Sequence, residues 1–233
     1  MNHTSLPRRA AAELLGTGLL VAVVVGSGIA AERLSSDHGL RLLENSIATA
    51  LGLAMLIVLL GPVSGAHFNP VITIADSLLR RDGAAAKDRA GAVTYIAAQL
   101  VGGIGGALLA NAMFETPAAV ALHERATAAT LLSEVVATAG LTLLVVGMTR
   151  AAHSLPAIAC AVGAYIGAAY WFTSSTAFAN PAVTLGRIFS DTFAGIAPLS
   201  AAFFLAAQLI GGAVGILLAV ILFPAPSLKE KTS

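Results

Sequence analysis

Ser64-Gly65-Ala66-His67-Phe68-Asn69-Pro70-Val71-Ile72-Thr73 and Ala177-Phe178-Ala179-Asn180-Pro181-Ala182-Val183-Thr184 carry one signature twice, both times inside apolar sequence. Proline at the first helical position lacks an N–H that would find no intrahelical partner there, and asparagine is a strong N-cap. Each Asn-Pro therefore predicts a helix that begins at Pro70-Val71 or Pro181-Ala182. The apolar runs after Asn69 and Asn180 are too short to cross a bilayer. Helices that start inside a membrane, in corresponding places of two half-chains, point to a pore or transport site built from broken helices.

The surrounding composition supports a membrane setting. Of 233 residues, 57% are hydrophobic and 11% charged, with a mean hydropathy of +0.86. Soluble domains carry about 25% charged residues, and a spanning helix needs roughly 20 apolar ones. Six stretches meet that requirement: residues 10–30, 45–63, 90–112, 128–148, 156–173 and 199–223. The formal net charge of +1 offers no basic or acidic surplus, so nucleic acid is not an expected partner. The single Cys160 cannot form an intrachain disulfide and reads as a small buried residue. Arg8 and Arg9 precede an apolar run in the manner of a signal peptide, yet that run recurs in the second half, so it is read as structure.

Three matches in the same order argue for duplication. Glu13-Leu14-Leu15-Gly16-Thr17 resembles Glu134-Val135-Val136-Ala137-Thr138. The Asn-Pro pair recurs, and Ala98-Gln99-Leu100-Val101-Gly102-Gly103 returns as Ala207-Gln208-Leu209-Ile210-Gly211-Gly212. The expected units are residues 1–112 and 113–233, each with three spans and one half-helix. Three spans per unit put the second unit in the opposite orientation, giving two inverted repeats. With a cytoplasmic N-terminus, that side carries Arg8, Arg9, Arg80, Arg81, Lys87, Arg89, Arg150, Lys229 and Lys231, against Arg33, Arg41, Arg125 and Arg187 outside. This bias places both termini in the cytoplasm. Two half-helices of about 10 residues, roughly 15 Å each, would together span the hydrocarbon and face their positive dipole ends at the midplane.

These motifs resemble the aquaporin and aquaglyceroporin (major intrinsic protein) family over nearly the whole chain. The resemblance implies an all-α membrane protein of six transmembrane helices and two re-entrant half-helices, assembled as a homotetramer of independent pores. It implies passive flow of small neutral solutes, without enzymatic activity, cofactor or metal. Asn69 and Asn180 would each offer an amide donor to a passing hydroxyl at the pore midplane while also capping their helices, and the facing dipoles would oppose cations.

The chain departs from the family where most members place an Arg after the second Asn-Pro-Ala; here that residue is Val183. Family spacing puts the other constriction positions at Thr49, Ala168 (or, with one gap, Gly167) and Ala177. That set describes a wide ring with one hydroxyl and no fixed charge, suited to solutes bulkier than water. The segment Val183-Thr184-Leu185-Gly186-Arg187 through Asp191-Thr192-Phe193-Ala194-Gly195 is similar to a bacterial subgroup associated with arsenic handling. Undissociated arsenous acid, a neutral solute near glycerol in size, fits such a ring, and a bacterial inner membrane is the expected location.

Two further residues sit seven positions past the asparagines: Asp76 and Arg187. Arg187 is one turn past Val183 on nearly the same face, so it either restores a cation to the outer mouth or pairs with Asp191 at i+4. Asp76 is expected to pair with Arg80. His67 either lines the inner half of the pore or braces its loop. Glu13 and Glu134 are intramembrane carboxylates, costly and functional by default. They are read as acceptors for the non-helical backbone before each Asn-Pro, with Gln99 and Gln208 bracing the same loops; a proton relay is the other reading. Gly102, Gly103, Gly106, Gly211, Gly212 and Gly215 follow the small-xxx-small pattern of close helix packing. The competing functions are a plain water channel and, from another class, a proton-coupled secondary transporter, which also uses inverted repeats and broken helices.

Overall fold

The computed structural model describes residues 4–79 and 85–223, with the backbone alone for 85–89. Among these residues the chain is entirely helical between its loops: α1 Leu6–Leu34, α2 His38–Ser64, α3 Pro70–Leu79, α4 Ala85–Met113, α5 Ala128–Arg150, α6 Leu155–Phe172, α7 Pro181–Arg187 and α8 Pro198–Leu222. Six helices are long and apolar enough to cross a membrane, and α3 and α7 are the short ones.

The helices begin where local chemistry allows. Proline occupies the first turn of α1, α6, α7 and α8. Asp37 caps α2 by accepting from the Leu40 N–H at 2.7 Å, and Thr127 and Thr130 form a reciprocal box at the start of α5. Helices α1 and α2 run past the apolar windows expected for them, because polar residues such as Arg8, Arg9, His38 and Arg41 continue the helix toward the interface without being apolar. α7, at seven residues, is shorter than the ten expected. Its end is set by tertiary contacts: Asn111 donates to the Phe189 carbonyl at 2.9 Å and accepts from the Ser190 hydroxyl at 2.7 Å, turning the chain away.

α1 packs most extensively on α4, and α5 on α8. Backbones touch in both pairs: a Cβ at Gly106 would collide with the Gly18 carbonyl, and one at Gly215 would stand 2.5 Å from the Ala139 carbonyl. Dispersion between backbones at so close an approach replaces the hydrophobic drive that lipid removes. Gly103 lies equally close to α7, 2.5 Å from the Ala182 oxygen by the same measure. The outer surface is apolar, with Leu51, Leu132 and Leu199 all exposed, which soluble monomers avoid over such an extent. Cys160 lies on that exposed face of α6, contrary to the buried position expected of it. Of the basic residues used for orientation, Arg80, Arg81, Lys229 and Lys231 and the side chains of Lys87 and Arg89 lie outside the described residues.

Candidate functional site

The two signature loops meet head to head. Asn69 Oδ1 accepts from the Val71 N–H at 2.9 Å, and Asn180 Oδ1 accepts from Ala182 and Val183 at 2.9 and 3.3 Å. Each asparagine thus caps its own half-helix. Its Nδ2 then donates across to the other loop: Asn69 to the Ala179 carbonyl and Asn180 to the Phe68 carbonyl, both at 2.8 Å. One amide hydrogen per asparagine remains after these bonds, and both residues border a common cavity.

The backbone before each asparagine is strained. Ala66, Phe68, Thr176, Ala177 and Ala179 all have φ between 46° and 61°, in the left-handed region that residues with a Cβ avoid. A buried carboxylate holds each loop there. Glu13 accepts from the Ser64 hydroxyl (2.6 Å), the His67 and Phe68 N–H groups (3.0 and 2.7 Å) and Gln99 Nε2 (2.7 Å). Glu134 accepts from the Ser175 hydroxyl (2.6 Å), the Phe178 and Ala179 N–H groups (2.9 Å each) and Gln208 Nε2 (2.6 Å). Gln99 and Gln208 also reach the hydroxyls of Thr73 and Thr184 on the half-helices. Pro70, Val71, Pro181 and Ala182 are buried at the helix starts, behind the cavity surface.

The cavity has a volume of about 490 Å³ and extends from Asp76, Thr149 and Arg150 to Tyr170, Phe178 and Arg187. Gly65 to Asn69, Ala177, Phe178 and Asn180 contribute its polar backbone and amide wall. Leu53, Ile57, Leu141, Val145, Ile158 and Val162 form the apolar remainder. Thr49, Ala177 and Val183 border it as well. Ala168 does not: it is exposed on the outside of α6, and Gly167 packs toward Ala50 of α2. Ile166 and Tyr170 are the α6 residues at the cavity, and Tyr170 Oη lies 3.1 Å from Thr49 Oγ1. Two residues of offset on a helix turn a side chain by about 200°, so spacing counted through a loop placed the wrong face inward.

At the same end, the expected ring without a guanidinium does not hold for the cavity as a whole. Arg187 borders it, with Nε donating to the Ala194 carbonyl and Cζ 3.4 Å from the centroid of Phe178. Its i+4 pairing with Asp191 is absent, since the helix ends at Arg187 and Asp191 instead accepts from the Leu122 N–H at 3.0 Å. Arg125, from the loop between α4 and α5, reaches the Phe193 and Gly195 carbonyls at 2.7 and 2.6 Å. Burial pushes its guanidinium down to about 10, which leaves it charged at neutral pH. Burial, then Arg125 and Arg187, hold the nearby His123 imidazole below its usual range. No signal in the local sequence marked Tyr170, Phe178 or Arg125.

At the opposite end His67 both borders the cavity and braces its loop. Its Nδ1 lies 3.1 Å from Thr73 Oγ1, its ring meets Tyr95 edge-on, and Nε2 is 3.8 Å from Asp76 Oδ2. Arg80, the partner expected for Asp76, lies outside the described residues.

Comparison with known proteins gives a consistent picture. A family model described as major intrinsic protein matches residues 1–157. The chain is 44% identical over 239 aligned residues to aquaglyceroporin AqpS of Rhizobium meliloti, covering 100% of this chain and 98% of that protein. It is 36% identical over 115 residues to the glycerol uptake facilitator protein of Escherichia coli, 49% of this chain and 38% of that one. Its fold resembles the X-ray structure of the aquaglyceroporin from Plasmodium falciparum, with a TM-score of 0.69 at 18% identity, covering 94% and 96% of the two chains.

Proposed function

This chain belongs to the major intrinsic protein family, and from that premise we propose that it is a passive channel for glycerol-sized neutral solutes, with undissociated arsenous acid among them. It is an integral multi-pass membrane protein and not an enzyme. The observation that carries the reading is the mixed lining of the cavity, in which the loops around Asn69 and Asn180 are joined by Leu, Ile and Val side chains. A polyol or a trihydroxy acid can exchange its hydration for the polar groups while its less polar part meets the aliphatic ones. Thr49, Ala177 and Val183 are the smaller residues at an end that Tyr170, Phe178 and Arg187 also border, and in this reading they leave room there for a glycerol-sized solute.

Residues 1–112 and 113–233 act as two inverted repeats in this reading, with both termini cytoplasmic in a bacterial inner membrane and four copies assembled as a tetramer. The Arg187 end of the cavity then faces outward. Glu13 and Glu134 serve as loop anchors, each engaged by four donors, which favours a channel over a proton-coupled transporter. The test is stopped-flow light scattering on vesicles containing the purified chain, with glycerol, arsenous acid and water measured separately. Glycerol and arsenous acid should equilibrate faster than through lipid alone, without saturation and without response to a protonophore. Water flux alone would leave a plain water channel, and saturable, protonophore-sensitive uptake would require the transporter.

A further inference from the structure

Three successive carbonyl oxygens at the Arg187 end are held by two guanidinium groups. Arg125 Nη2 donates to Phe193, Arg187 Nε to Ala194, and Arg125 Nε to Gly195. Arg125 is itself fixed, its N–H donating to Ser200 Oγ at 3.0 Å and its Cζ lying 5.5 Å from the Phe178 ring centroid. The loop that carries it is tied down by Ala121 N–H to the Ile188 carbonyl and by the Ala197 N–H to the His123 carbonyl, both at 2.8 Å. The stretch 193–195 is therefore a rigid strip, and Arg187 is aimed by it from one side and by the face of Phe178 from the other.

The side chain so aimed has unused capacity. Arg187 is only 3% exposed, yet among the described residues neither of its terminal nitrogens makes a protein hydrogen bond, and no carboxylate forms an ion pair with it. With Nε spent on Ala194, four N–H donors of the charged fork remain for a ligand in the cavity that the residue borders. The residue borders the cavity, about 6 Å along the helix from Val183. Thr49 and Tyr170, hydrogen-bonded to each other, border the same end from α2 and α6.

We propose that Arg187 sets the charge selectivity of this end of the cavity, its terminal nitrogens donating to the hydroxyls of a passing solute and its fixed charge repelling cations. Val183 clears space at the position one turn inward, and the carbonyl strip 193–195 with Phe178 supplies the rigidity. The inference rests on the channel reading and adds the discriminating residue to it. A unit charge met at about 5 Å, under an effective dielectric of about 20 to 80, changes the occupancy of a monovalent cation between about fourfold and a few hundredfold.

The experiment compares the unmodified chain with Arg187→Lys, Arg187→Gln and Arg187→Ala in vesicles of neutral lipid. Glycerol flux is read by light scattering and cation leak by a pH-sensitive dye under an imposed potential. Arg187→Gln and Arg187→Ala, which remove the donors to the solute, should alter glycerol flux and leak cations at least about fourfold more than the parent. Arg187→Lys, which keeps the charge, should retain exclusion. Equal leak in Arg187→Lys and Arg187→Gln, or no rise in either Arg187→Gln or Arg187→Ala when they pass glycerol, overturns the proposal. Should the variants fail to assemble, the parent decides: glycerate should slow glycerol flux and the cation of 2-amino-1,3-propanediol should not, and equal inhibition by both overturns it. A parent that carries no glycerol refutes the channel reading instead.

Discussion

Replacing Glu134 tests how the strained loop before Asn180 is held. Its four donors differ in what they can do once the carboxylate is gone. In Glu134→Gln the new amide oxygen keeps two of the four bonds. If the amide nitrogen takes the Oε2 position, Gln208 can flip and present its Oε1, which has no partner among the described residues, leaving the Ala179 N–H unpaired. If it takes the Oε1 position, the Ser175 hydroxyl can turn to accept, leaving the Phe178 N–H unpaired. Either way one buried backbone donor is lost, at about 1–3 kcal/mol, and the remaining bonds lose their charge assistance. Glu134→Ala strands both backbone donors, roughly twice that cost, at residues beside the left-handed Ala177 and Ala179. Thermal unfolding in detergent, followed by size-exclusion chromatography, should rank the parent above Glu134→Gln and Glu134→Ala last, with glycerol flux falling in the same order. Glu134→Ala melting with the parent, or Glu134→Gln melting below Glu134→Ala, would refute the reasoning.

Val183→Arg should bring a second guanidinium within one turn of Arg187, slowing glycerol more than water in stopped-flow traces; faster glycerol flux would contradict the assignment of Val183 to the cavity wall. Gly106→Ala should prevent α1 and α4 from closing, because its Cβ meets the Gly18 carbonyl, while Gly105→Ala, with nothing within 4 Å, should melt like the parent. The depressed His123 imidazole means that the unfolded chain binds its proton first as pH falls. The parent should therefore lose stability as pH drops from neutral through about 6.5 and on toward the lower folded value. His123→Asn should lack that part of the slope in melting curves recorded against pH.

Much of the loop machinery was readable from residue types and spacing. Asn-Pro announces a helix start wherever it falls, since the cap and the missing N–H act within four residues. A glutamate inside an apolar span must find donors, and non-helical backbone at membrane depth must find acceptors, so the pairing of Glu13 and Glu134 with the loops follows from mutual need. The α6 contribution was not readable in the same way. Ala168 was placed by counting through a loop, and one helical position decides whether a residue faces the cavity or the outside. Hydropathy cannot help there, because both sides of α6 are apolar.

The sequence by itself determined the six crossings and the two half-helices, because each depends on local hydrogen bonding and on the length of an apolar run, whereas the bonds that join Asn69 and Asn180 to the opposite loops are tertiary. Only the tertiary structure decided what stands at the Arg187 end of the cavity. Whether Arg187 pairs with Asp191 or turns toward the cavity depends on where α7 stops, and Asn111, distant in sequence, contributes to that stop. The carbonyls that aim Arg187 belong to a strip that Arg125 holds from yet another loop. Backbone oxygens carry no residue code, so a site built from them becomes visible only once the chain has folded around it.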